Sequence, residues 1–191
     1  AVLTGRKDFY EKLLLYRGHG IINNAKLFKR KAPPAGGWYY EMQELAHNYR
    51  MTDIQAALGI SQLKKLDKFI QARKKIAARY GEVFAGNKNL ILPKEYEGAS
   101  SSWHLYPLRL AGKLSNKRAE IFKKLRDAGI GVQVHYIPVY LHPYYQKLGY
   151  KAGLCPKAEA FYESEISIPV FPDLTKKDQD FVIQKINEFT K

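Results

Sequence analysis

The chain has 191 residues, 46% of them hydrophobic and 13% aromatic, with a single cysteine and a formal net charge of +14. That apolar content supports a packed core and excludes a disordered chain. Cys155 alone excludes a disulfide framework, no apolar run approaches the roughly 18 residues that span a bilayer, and the first residues lack the pattern of a signal peptide, so a reducing cytoplasmic setting is expected.

The charge admits two readings. Clustered Lys and Arg release counterions from nucleic-acid phosphates, whereas dispersed ones form a solvated surface. Apart from Lys29-Arg30-Lys31, the basic residues are spread among Asp and Glu, without a zinc-finger, RNA-recognition or helix-turn-helix pattern. No nucleic-acid partner is therefore expected, and an anionic small substrate is compatible with the charge.

Ala1-Val2-Leu3-Thr4 reads as the end of a strand. A helix follows from about Lys7 to Tyr16, with Phe9, Leu13 and Tyr16 on one face and Gly18 or Gly20 as its stop. Residues 21–47 hold no sustained period and contain Pro33-Pro34, Gly36-Gly37 and the basic run. They read as a long loop, and such loops are commonly functional.

Thr52 opens the dominant element, where Thr52 and Gln55 have the spacing of a capping box. Ile54, Leu58, Leu66, Ile70, Ala77, Tyr80 and Phe84 keep helical spacing as far as Gly86. One continuous helix of about 33 residues would be roughly 50 Å long, enough to bridge two domains or support a subunit interface. Two shorter helices with a break are the alternative.

Beyond Asn87 the pattern changes. Ser102 to Leu110 alternates as a strand, and Lys117 to Ala128 reads as a helix with Ser115 as N-cap and Gly129 as stop. Gly131 to Tyr136 alternates again, with Val132 and Val134 on one face and Gln133 and His135 on the other. A short helix over Ala158–Glu163 and a strand over Ile166–Ile168 precede a last helix, capped by Thr175 and carrying Phe181, Val182, Ile186 and Phe189. The fold class is α/β, with residues 1–86 holding a helix, long loop and long helix, and residues 87–191 a small α/β domain.

Two clusters could carry chemistry. Asn48 and Arg50 precede the cap of the long helix, where unpaired N–H groups and partial positive charge gather. An Asn amide can donate to a phosphate and an Arg can fork onto a carboxylate. Equally, Asn48 could serve a turn and Arg50 could pair with Glu41 or Glu44. His135-Tyr136 ends a predicted strand and is followed by Tyr140, His142, Tyr144 and Tyr145, which suits either a pocket beyond a strand end or aromatic packing under a loop. The histidines have no carboxylate at metal-ligand spacing, so no metal is expected. Cys155, with no adjacent general base, reads as a packing residue.

Gly36-Gly-Trp-Tyr-Tyr-Glu-Met-Gln-Glu-Leu and His47-Asn-Tyr-Arg-Met-Thr-Asp-Ile-Gln-Ala-Ala-Leu-Gly resemble the DegT/DnrJ/StrS family of sugar-nucleotide aminotransferases. So do Ser102-Trp-His-Leu-Tyr-Pro, Gly129-Ile-Gly-Val-Gln-Val-His-Tyr-Ile-Pro and Ile166-Ser-Ile-Pro, in register along the whole chain. The resemblance implies the C-terminal portion of an aspartate-aminotransferase-like (fold type I) enzyme, with residues 1–86 as a remnant of the large pyridoxal-phosphate domain. It implies a homodimer with composite active sites.

On that resemblance, Asn48 matches a ligand to the cofactor phosphate of the other subunit, and Arg50 the arginine associated with the carboxylate of the amino donor. His135 and Tyr136 match the pair facing the sugar nucleotide, with Tyr140 and His142 as neighbouring candidates. Trp38-Tyr-Tyr-Glu-Met-Gln and Val139-Tyr-Leu-His-Pro-Tyr-Tyr most resemble the pseudaminic acid branch, which moves an amino group from glutamate to C4 of a UDP-linked 4-keto-6-deoxy-N-acetylhexosamine. The family's Schiff-base lysine would lie upstream of Ala1, so the chain is expected to be inactive alone. Two alternatives are a pyridoxamine-phosphate-dependent dehydratase relative, with histidine in place of that lysine, and a non-catalytic basic nucleic-acid-binding module.

Overall fold

A computed structural model of the chain describes residues 2–31 and 36–191, so Ala1 and the Pro33-Pro34 pair of the expected loop lie outside the described residues. The chain divides into two units, Ala1–Leu63 and Lys64–Lys191.

In the first unit the predicted helix forms over Lys7–Arg17 (α1). The N–H groups of Gly18 and Gly20 both reach the Leu15 carbonyl, at 3.1 and 2.9 Å, and close the helix end. Gly20 has φ +68°, and a Cβ there would meet the Glu44 carbonyl oxygen at 1.9 Å, so only glycine fits. Val2–Thr4, expected as a strand end, join no ladder among the described residues. The expected loop is more ordered than its sequence indicates. Ile21–Ile22 (β1) pairs antiparallel with Glu41–Met42 (β2), and the Glu41 carboxylate accepts the N–H groups of Lys29 (2.7 Å) and Arg30 (3.1 Å). Polar tethers of this kind leave no hydrophobic period to read.

The capping box forms as predicted at the start of Asp53–Leu63 (α2). Gln55 N–H donates to Thr52 Oγ1 at 3.3 Å and Thr52 N–H to Gln55 Oε1 at 3.0 Å. The helix does not run on to Gly86. Lys64-Lys65 form a turn, with Lys65 at φ −101° and ψ −7°, well away from the helical ψ of about −42°. A second helix, Leu66–Phe84 (α3), then begins.

The second unit is built on a three-stranded antiparallel sheet, Leu90–Ile91 (β3), Tyr106–Leu110 (β4) and Glu165–Ile168 (β5), with β4 central. Alternation along β4 buries Tyr106, Leu108 and Leu110 on one face. Ile76, Ala77, Tyr80 and Phe84 recur at helical spacing on α3 and enter this core. The same core holds Ile121 and Leu125 of Arg118–Asp127 (α4), and Val182 and Ile186 of Lys176–Phe189 (α7). Tyr80 donates its hydroxyl to the Pro169 carbonyl (2.9 Å), and Gln179 its amide to the Ile76 carbonyl (2.9 Å). Because α3 packs here, the two compact units divide at Leu63/Lys64.

Several boundaries differ from expectation. The strand expected from Ser102 begins only at Tyr106, because Trp103 adopts φ 47° and donates its N–H to Ser101 Oγ. Ser115 does not cap α4; it closes a 3₁₀ turn over Gly112–Leu114, and Lys117 holds the cap position. Gly129, at φ +81°, ends that helix as predicted. The strand expected over Gly131–Tyr136 reduces to one bridge, Gln133 to Ser167. A five-residue helix, Pro143–Lys147 (α5), stands where none was read. Pro156–Ser164 (α6) starts ahead of the expected Ala158, since proline suits a first helical position. Cys155 precedes it and is exposed, contrary to the packing reading. Thr175 caps α7 as predicted, its Oγ1 accepting the Asp178 N–H at 3.1 Å.

Candidate active site

In the first unit, residues 47–49 run extended beside the end of α1. His19 N–H bonds the His47 carbonyl, His47 N–H the Tyr16 carbonyl, and Tyr49 N–H the Arg17 carbonyl, at 3.0, 3.3 and 3.0 Å. Extended geometry sends alternate side chains to opposite faces. His47 and Tyr49 stack on one another with centroids 5.0 Å apart, and Asn48 meets Arg50 instead.

Arg50 Nε donates to Asn48 Oδ1 at 3.2 Å. Arginine is donor-only, so this contact fixes which end of the amide faces it. The Asn48 amide nitrogen is left with no hydrogen bond among the described residues, and Asn48 is exposed. Neither Glu41 nor Glu44 pairs with Arg50 among the described residues. Desolvation pushes the Glu41 carboxyl up, but the Lys29 and Arg30 N–H groups, Gln43 and Tyr39 outweigh it and hold the group below its ordinary 4.5. The capping box itself consumes the Thr52 and Gln55 N–H groups. Beside the Asp53 and Ile54 N–H groups that remain open in the first turn, the Asn48 amide and the Arg50 guanidinium give this helix start a donor set that fits a phosphate ester beside a carboxylate.

In the second unit, His135 and Tyr136 follow the Gln133–Ser167 bridge. His135 is half-buried and its ring lies edge-on to that of Tyr136, centroids 4.6 Å apart. The Tyr136 side chain is 70% exposed. Tyr140 sits in a 3₁₀ turn over Val139–Leu141, and its hydroxyl donates to Glu159 Oε1 at 2.6 Å while accepting the Cys155 N–H at 3.2 Å. Desolvation, then the bond to Glu159, raise the Tyr140 phenol to about 12. That hydroxyl thus ties the loop to the start of α6. His142 is exposed at the cap of α5.

Two carboxylates not expected from the sequence organise this neighbourhood, Glu159 and the fully buried Glu165. A signal for Glu165 was present: an acid opening the apolar Glu165-Ile-Ser-Ile strand, on the same face as Ser167.

Residues 1–187 match the DegT/DnrJ/EryC1/StrS aminotransferase family. The chain belongs to this family. Over 182 residues it is 38% identical to the UDP-4-amino-4,6-dideoxy-N-acetyl-beta-L-altrosamine transaminase of Campylobacter jejuni subsp. jejuni serotype O:23/36, covering 95% of this chain and 45% of that protein. Its fold is similar to that of Helicobacter pylori PseC, an aminotransferase involved in the biosynthesis of pseudoaminic acid, with TM-score 0.84 and 32% identity over 98% of this chain and 47% of that one. It is also similar to the PMP-form of the putative sugar aminotransferase Spr1654 from Streptococcus pneumoniae, with TM-score 0.85 and 32% identity over 98% and 46% of the two chains.

This family member spans about half the length of the curated relatives it matches. Its fold is the expected one, the corresponding part of the fold type I structure seen in sugar aminotransferases, whose solved examples include PLP- and PMP-forms of Spr1654. Among the described residues no helix is long and apolar enough to cross a membrane.

Proposed function

We propose that the chain is part of a cytoplasmic sugar-nucleotide transaminase that moves an amino group from glutamate to C4 of a UDP-linked 4-keto-6-deoxy-N-acetylhexosamine, as in pseudaminic acid or related surface-polysaccharide biosynthesis. The observation that carries this reading is the Asn48–Arg50 pair, set at the helix start within a chain matched to the family over residues 1–187.

In this reading Asn48 donates its amide N–H groups to the cofactor phosphate across a homodimer interface, with its oxygen already held by Arg50. Arg50 keeps its terminal nitrogens for the carboxylate of glutamate, a planar acceptor that a guanidinium matches. Bound pyridoxal phosphate supplies the electron sink and the carrier of the amino group. His135 and Tyr136 face the sugar nucleotide, the exposed Tyr136 ring offering both an apolar face and a hydroxyl. Tyr140, engaged with Glu159, shapes the loop that carries it and His142 toward that ligand.

Residues 1–86 take the place of a remnant of the large domain in this scheme, and 87–191 that of the small one. The lysine that binds the cofactor covalently is supplied from outside this chain, which alone is inactive. Support for a homodimer comes from α2, where Ile54 and Leu58 lie one turn apart on the same face and are 84% and 61% exposed, apolar surface that calls for cover.

The test is isotope transfer by the complete enzyme. With ¹⁵N-glutamate and a UDP-linked 4-keto-6-deoxy-N-acetylhexosamine, ¹⁵N should appear on C4 of the sugar, and its absence there would sink the proposal. The 191-residue chain alone, reduced with borohydride in the presence of pyridoxal phosphate, should show no stoichiometric adduct on a single lysine by mass spectrometry.

A further inference from the structure

We infer that Glu165 is the positioning residue for the His135–Tyr136 segment, the part of the molecule assigned above to the sugar nucleotide, and the inference rests on that assignment. Glu165 opens β5 and is fully buried. Its Oε2 accepts the backbone N–H of His135 at 2.8 Å, and its Oε1 accepts the Ser167 hydroxyl at 2.5 Å.

A buried carboxylate is costly unless it is paired or well hydrogen-bonded. The obvious partner is Arg109, its cross-strand neighbour in register on β4. Arg109 turns elsewhere: its Nε donates to Ser164 Oγ at 3.1 Å, and no ion pair joins it to Glu165 among the described residues. Nor does the hydrophobic core claim this side chain: Ile166 and Ile168 face it with Leu108 and Tyr106, whereas Glu165 lies on the other face of the strand with Ser167. What the carboxylate adds is an acceptor aimed at one N–H group.

That N–H lies where the segment leaves the sheet. Gln133 and Ser167 exchange two backbone hydrogen bonds, at 3.2 and 2.8 Å, and this bridge is the segment's one ladder contact among the described residues. Two residues later the Glu165 carboxylate takes over and fixes His135 by its backbone. Ser167 serves both contacts, through its backbone at the bridge and its hydroxyl on the carboxylate. The His135 ring then packs against Tyr136, and its Nδ1 is buried with no partner among the described residues. The exposed Tyr136 side chain therefore projects from a backbone held at the preceding residue, and geometry held at this level governs ligand affinity.

The test separates positioning from bulk stability with two variants of the complete enzyme. Glu165→Met removes the buried charge while filling a similar volume, a change that is often neutral or stabilising. Glu165→Gln keeps an oxygen acceptor for the His135 N–H. Amide exchange at His135, the Kd for UDP-N-acetylglucosamine by calorimetry, and the melting temperature are measured for each.

In Glu165→Met the His135 amide should exchange about tenfold faster and the probe should bind about tenfold more weakly, the scale of one lost charge-assisted hydrogen bond, without a parallel fall in melting temperature. Glu165→Gln should stay within about threefold of the wild type on both counts. Wild-type binding in a folded Glu165→Met, or an equal loss in Glu165→Gln, overturns the inference. Should Glu165→Met fail to fold, Glu165→Gln decides alone: retained binding supports the acceptor role, and a tenfold loss refutes it. A complete wild-type enzyme that does not bind the probe overturns the sugar-nucleotide assignment, and the exchange rates distinguish that result from failure of the clamp.

Discussion

Replacing Asn48 with alanine tests the cofactor-facing half of the proposal, because the structure separates its binding effect from its stability effect. The Asn48 side chain is exposed, and its only hydrogen bond among the described residues is the 3.2 Å contact from Arg50. The Tyr49 N–H to Arg17 carbonyl bond and the neighbouring backbone pairs do not involve that side chain. The loss in folding stability should therefore stay within about 0.5 kcal/mol, as for surface substitutions generally. A hydrogen bond to an ionised phosphate is worth more, about 1–3 kcal/mol. At about 1.4 kcal/mol per decade, cofactor retention by the complete enzyme should weaken roughly 5- to 150-fold. The assay is titration of the dialysed enzyme with pyridoxal phosphate, followed by its absorbance. Arg50→Lys is the companion: it should raise KM for glutamate more than it changes cofactor affinity, since a point charge replaces the fork. A folded Asn48→Ala enzyme with unchanged cofactor affinity would refute the reasoning.

Other outcomes follow from the same contacts. Tyr80→Phe removes the donor to the half-buried Pro169 carbonyl and should cost about 1–3 kcal/mol in urea unfolding, and a cost near zero would mean that water replaces the hydroxyl. Leu125→Ala, at a fully buried core position, should cost about 2–5 kcal/mol; a loss below 1 would show that α4 is not anchored as described. Glu41 is held below its ordinary 4.5, so its contribution is complete above that pH and is lost as pH falls through the lowered folded value. Exchange at the Lys29 and Arg30 amides should quicken with acid over that window, and Glu41→Gln should flatten the dependence. The purified chain should self-associate through the exposed apolar residues of α2, and a monodisperse monomer in sedimentation would contradict that view of the surface.

What could be read from sequence depended on whether the determinant was local. The Thr52–Gln55 box, the Thr175 cap and the Gly129 stop are each set within a few residues, and each formed as predicted. The Asn48–Arg50 contact was not foreseen, although both residues had been singled out, because an Arg can reach several acceptors and only folded coordinates select one. The β1–β2 pair joins residues some 20 apart through polar tethers with no hydrophobic period to betray them. The strand read over Gly131–Tyr136 failed for a related reason. Alternation reports two faces, but a ladder needs a neighbour, and beyond Gln133 the backbone partner is a side chain, Glu165.

The two helices after Thr52 show the limit most clearly. Ile54 and Leu58 on α2 recur at the same spacing as Ile76, Tyr80 and Phe84 on α3, and nothing in the sequence sets the two runs apart. On α3 that spacing is buried against the sheet, whereas on α2 Ile54 remains 84% exposed. Periodicity says that a face will be covered without saying by what. For α3 the cover lies within the chain, which is why residues 64–191 form a unit with a core of their own. The first unit buries only Gly20 among its described residues, yet it carries the Asn48–Arg50 pair. A site on a unit without its own core is held in place by whatever covers it, so cofactor affinity and assembly should be lost together when the α2 face is made polar.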